Sequence, residues 1–225
     1  PRLNWLELVG GPYDDTGFVL SGGVDGGIYL GGETDRGSWD GSTSRGRRDG
    51  FVSRWNRAGQ RLWTQWYGSD QDDQVRGLSM DPYGALYVSG GSLGGVDANT
   101  SFSPGASDGF LSRLNSAAQK QWTIQLGGES WDLLRSLATS PIDSSVYGIG
   151  YSASVSFSKL SAKPSSEEGP DAFLIKADSS GQVLSLRHGL LRQQHSRQPG
   201  RCLPEQAQSS RWSSDLDPLA GHQHQ

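Results

Sequence analysis

DGFLSRLNSAAQKQWTIQLGG, residues 108–128, decides how this chain folds, because nearly the same text stands twice more within it. DGFVSRWNRAGQRLWTQWYGS fills residues 49–69, and DAFLIKADSSGQVLS fills residues 171–185, with Ser185 where the tryptophan is due. Working outward, Trp5, Trp63 and Trp122 lie 58 and 59 residues apart. Each is followed five residues on by a glycine (Gly10, Gly68, Gly127) and ten residues on by an aspartate (Asp15, Asp73, Asp132). An apolar residue with a tyrosine recurs at Ile28 and Tyr29, Leu86 and Tyr87, and Val146 and Tyr147. Asp49, Asp108 and Asp171 open the closing segment, with Phe51, Phe110 and Phe173 two residues later. Self-similarity over this length marks a repeat architecture, in which each unit buries its apolar face against its neighbours.

Each copy offers four short strand candidates. In the second they are WTQWY from Trp63, QVRGLSM from Gln74, ALYVSG from Ala85 and GFLSRL from Gly109. All are rich in aromatic and branched residues and bounded by Gly, Asp, Asn, Pro and Ser, as in DPYG at Asp81–Gly84. Composition agrees: 32 glycines and eight tryptophans against one methionine suit strands and tight turns, because glycine inside a helix costs about 1 kcal/mol relative to alanine. The expected fold is all-β, a section of a β-propeller with about three four-stranded antiparallel blades, approximately 5–62, 63–121 and 122–184. A parallel solenoid is the competing repeat fold, though its units are usually shorter. Three blades are too few for a closed ring, so the missing blades are expected on the same polypeptide.

Longer Gly- and Ser-rich inserts, Glu33–Arg48, Ser92–Ser107 and Ser152–Pro170, separate the third and fourth candidates and vary where the strands do not. They read as loops on one face, suited to protein or glycan contacts. The net charge of −4 gives no electrostatic footprint for nucleic acid, and no run of apolar residues is long enough for a membrane helix. The lone cysteine, Cys202, excludes a disulfide scaffold.

The pattern W-x4-G-x4-D, apolar-Tyr-x2-G and D-[GA]-F-[VL]-x-[KR] resembles the bacterial SBBP beta-propeller repeats over residues 5–184, and the insert from Gly37 to Phe51 is similar to long-repeat, cyanobacterial-like versions. The resemblance implies an extracellular or cell-surface protein with binding or structural duties, and it carries over no catalytic residue. After Leu184 the pattern stops, and residues 185–225 form an atypical tail holding all four histidines and Cys202. That tail reads either as disordered or as out of frame, because permitted codons for Arg201–Pro204, moved by one nucleotide, encode Asp-Ala-Phe again.

No catalytic constellation or cofactor site emerges. Asp15, Asp73 and Asp132 are the calcium candidates, since carboxylates preceding a strand can ligate that ion. Yet no complete EF-hand or β-roll motif surrounds them, and accepting turn amides is the favoured reading. Asp49, Asp108 and Asp171 are expected to fix turns, and Trp5, Trp63 and Trp122 to pack between blades rather than to stack sugars. The leading functional expectation is a non-enzymatic binding or structural module of a larger exported protein. Two alternatives stand beside it. One is a propeller enzyme, quinoprotein-like or carbohydrate-active, because Asn56–Trp63 and Asn115–Trp122 are similar to quinoprotein Trp-docking segments. The other is a fragment without independent function.

Overall fold

The computed structural model describes residues 4–36, 38–39, 42–96, 105–154 and 169–188. The tail beyond residue 188 lies outside these, as do residues 37, 40–41, 97–104 and 155–168 of the three inserts. The first sheet begins with β1 (Asp15–Gly22) and β2 (Ile28–Asp35). A two-residue pair in the first insert, β3 (Ser38–Trp39) with β4 (Ser42–Thr43), precedes β5 (Arg48–Trp55) and β6 (Arg61–Tyr67), which complete that sheet in the order β1-β2-β5-β6. The second sheet runs β7 (Asp73–Met80), β8 (Leu86–Ser92), β9 (Asp108–Leu114), β10 (Lys120–Leu126). The third runs β11 (Asp132–Thr139), β12 (Val146–Ser152), β13 (Asp171–Ala177), β14 (Val183–His188), and every pairing is antiparallel.

The tryptophan strands fall at the end of a sheet, not at its start. Units counted from Trp to Trp are therefore displaced from the sheets by one strand. The cause is local: Asn56 Oδ1 accepts the amides of Ala58 and Gln60 at 2.9 and 3.0 Å, and Asn115 Oδ1 those of Ala117 and Gln119 at 3.0 and 2.9 Å. These side chains build the tight turn that folds β5 onto β6 and β9 onto β10. Asp178 does the same for β13 and β14 through Ser180 and Gln182, so pairing continues to His188 even though Ser185 replaces the tryptophan. Residues 185–188, assigned by sequence to the tail, belong to this strand.

The sheets stack face to face, with their first strands packed against one another and β7 between β1 and β11. The face of the first sheet carrying Gly31, Val52 and Tyr67 meets the face of the second carrying Val75, Leu78 and Phe110. Tyr67 and Phe110 stack across this junction with ring centroids 5.6 Å apart and planes 9° from parallel. The opposite face of the second sheet, with Tyr87, Leu111 and Leu126, meets Leu134, Phe173 and Ile175 of the third. Each fully buried Leu, Val or Phe contributes about 1.5–3 kcal/mol, so the junctions are the principal source of stability. This is the arrangement of three consecutive propeller blades.

Among the described residues the stack ends on two uncovered faces. Val52 and Leu111 occupy equivalent positions and are fully buried, whereas their counterpart Leu174 on the third sheet is 41% exposed. At the other end Leu20 is 63% exposed where its counterpart Leu78 is 6% exposed.

Candidate functional site

Two kinds of repeated side chain meet at the junctions. Aspartates at the start of each first strand accept the amide of the residue four positions earlier: Gly11 to Asp15 at 2.7 Å, Ser69 to Asp73 at 2.7 Å, Gly128 to Asp132 at 2.8 Å. Asp49 and Asp108, from the third strand of the preceding sheet, approach the same points. A Cβ on Gly68 would run into Asp49 Oδ1 and lie 3.0 Å from Asp73 Oδ2; one on Gly127 would run into Asp108 Oδ1 and lie 2.8 Å from Asp132 Oδ2. The repeated glycine thus makes room for one carboxylate from each of two sheets. Gly10 holds the corresponding place beside Asp15.

Burial pushes the Asp73 carboxyl up to about 6, against bonds from Ser92 and Ser69 that favour its ionised form, and the neighbouring Asp49 adds a smaller push upward. Burial likewise raises Asp49 and Asp132, opposed by the amide of Gly46 at Asp49 and by the hydroxyls of Ser152 and Ser154 at Asp132. Among the described residues no group of three or more His, Cys, Asp or Glu side chains comes together as a metal site. The calcium candidates Asp15, Asp73 and Asp132 each accept a turn amide. Asp171 opens β13 on the third sheet, and among the described residues no following sheet stands beside it.

The tryptophans sit at the opposite end of the strands. Trp122 Nε1 donates to Ser179 O at 3.0 Å, reaching from the second sheet to the β13–β14 turn of the third. Trp5 lies over Gly59 in the β5–β6 turn as Trp122 lies over Gly181. Trp63 forms a row with Arg54 and Tyr29, its ring 5.8 Å from the tyrosine, and the guanidinium stands 4.4 Å from the Tyr29 ring. Trp122, Arg113 and Tyr87 repeat that row. In the third sheet it becomes Tyr147, Lys176 and Ser185.

The described ends of the inserts and the sheet-to-sheet crossings lie at the aspartate end. Single parallel backbone pairings join Arg48 to Asp72 and Ser107 to Trp131, so the closing residue of an insert pairs with the crossing into the next sheet. Here lies a groove of about 200 Å³ lined by residues of the first two sheets and by Trp131. Its side chains include Glu33, Arg48, Asp72, Gln74 and Arg76, with Arg48 Nη1 3.7 Å from Glu33 Oε1. Arg76 Nε donates to Gln74 Oε1, and its guanidinium lies 3.5 Å from the centre of the Phe18 ring.

Arg76 takes this position because each first strand bulges at one place: between Gly17 and Val19, Val75 and Gly77, Leu134 and Ser136. The extra residue, Phe18, Arg76 or Arg135, is re-aimed out of the alternating pattern. Neither Trp131 nor Arg76 belongs to the repeated landmarks. The signal that marks them is departure from the repeat: Trp131 stands where the other copies have Asp14 and Asp72, and Arg76 and Arg135 stand where the first has Phe18. Models of known protein families and the curated proteins give no match to the chain.

Proposed function

We propose that the chain is a non-enzymatic binding module of a larger exported or cell-surface protein, engaging a protein or glycan through its insert end. The observation that carries this reading is that the described ends of three variable inserts, two sheet crossings and a polar groove lie at one end of a stack of sheets whose opposite end is occupied by tight turns. Concave sites with convergent polar groups on a rigid β scaffold are where ligands generally bind. The buried aspartates support a joining role instead of a reacting one: Asp73 is buried, and its Oδ2 is engaged by Ser69 N and Oγ at 2.7 and 3.1 Å.

The resemblance to SBBP repeats supports the surface location and the presence of further units. Such units would cover the faces bearing Leu20 and Leu174, which match faces buried inside the stack. Replacing residues 97–104 and 155–168 by Gly-Ser segments of equal length tests the reading on glycan arrays and surface-protein pull-downs. Loss of binding with an unchanged melting temperature is expected. Undiminished binding by the replaced chain, or turnover of a bound substrate, contradicts the reading.

A further inference from the structure

We propose that the groove beside Trp131 binds a neutral saccharide chain, with one pyranose ring stacked on the indole. The inference rests on the binding-module reading above and names the ligand class. Trp131 contributes its backbone to the fold: it bridges Ser107, and its carbonyl accepts the Ala153 amide at 2.8 Å. Trp131 as a residue is 54% exposed and belongs to neither buried cluster. The corresponding residues Asp14 and Asp72 are polar, so the architecture does not require an aromatic ring at this position. A large flat apolar face standing in a polar groove is suited to the C–H face of a sugar.

The groove supplies the remaining chemistry. Glu33, Asp72 and Gln74 offer planar acceptors, and Arg48, Gln74 and Arg76 offer planar donors, matched to the adjacent hydroxyls of a pyranose. Two guanidinium groups, Arg48 and Arg76, stand against three carboxylates, Glu33, Asp72 and Asp73, so no net field favours an anion. A sulfated or phosphorylated ligand would meet those carboxylates. A peptide anchored by apolar side chains would find one aromatic face and few other apolar contacts. The groove is short, on the scale of one ring. One stacked ring and a few solvent-facing hydrogen bonds give weak binding, with Kd on the order of 0.1–1 mM.

The test is calorimetric titration of the whole chain with neutral hexasaccharides from β-glucan, xylan, mannan and chitin, beside a heparin hexasaccharide and a proline-rich decapeptide. At least one neutral saccharide is expected to bind. Trp131→Ala should weaken it at least about 10-fold and Trp131→Phe only about 3-fold, with Trp5→Ala as the unaffected control. Gln74→Ala, which leaves the indole in place, should weaken it as well, and circular dichroism melts identify any variant that has lost its fold. The proposal is overturned if no neutral saccharide binds below about 10 mM, if folded Trp131→Ala binds as the parent does, or if only the heparin fragment or the peptide binds. Its failure is distinguishable from that of the wider reading: a protein partner held through the inserts and indifferent to Trp131 would leave the module reading intact.

Discussion

Asp73→Asn should make the protein more stable at neutral pH. The Asp73 carboxyl titrates near 6 in the folded chain against an ordinary value of 3.8, a rise caused chiefly by burial and increased by Asp49. Between these values the folded state holds a proton that the unfolded state has released. The associated stability is therefore fully present below about pH 4, declines as pH rises through the folded value, and is gone above it. A rise of about two units corresponds to about 3 kcal/mol as an upper bound. Asparagine retains a carbonyl oxygen for Ser69 N and Oγ while removing both the buried charge and its repulsion with Asp49. Urea unfolding at pH 4, 5, 6 and 7 should show the variant ahead by about 1–3 kcal/mol at pH 7, with the advantage vanishing toward pH 4. A variant less stable than the parent at pH 7, or a difference that stays constant across the series, refutes the reasoning.

Ala118 occupies the left-handed region at φ 60°, where the matching turns use Gly59 and Gly181, so Ala118→Gly should stabilise the chain by about 1 kcal/mol in thermal unfolding. Gly68→Ala and Gly127→Ala should each cost about 2–4 kcal/mol, because the new methyl enters the space between two carboxylates; denaturant midpoints measure it. Leu111→Asp should abolish cooperative unfolding or cost more than about 3 kcal/mol, whereas Leu174→Asp, at the equivalent but uncovered position, should stay within about 1 kcal/mol.

The repeat landmarks made most of the fold legible because they are the residues the junctions require. Gly68 and Gly127 recur since a side chain would collide with the aspartates, and Phe110 and Phe173 recur since each fills the face meeting the preceding sheet. The phase was less legible. A sequence repeat can be counted from any strand, and only the hydrogen bonds of Asn56, Asn115 and Asp178 show which neighbours share a sheet. The groove was hidden for the opposite reason: Trp131 and Arg76 are what the repeat leaves unspecified, and a one-residue bulge in β7 sets where Arg76 points. Periodicity reports what the architecture needs, and a binding site occupies positions the architecture leaves free.

The face-to-face stacking of successive sheets underlies every junction and the groove above them, and methyl-edited NOE spectroscopy of the whole chain tests it most directly. Gly31 is placed against Val75 and Leu78 of the next sheet, and Gly91 against Leu133 of the one after. Cross-peaks from the Gly31 α-protons to the Val75 and Leu78 methyls, and from Gly91 to the Leu133 methyls, are predicted. Observation of the four-stranded pairings without these inter-sheet peaks would contradict the account.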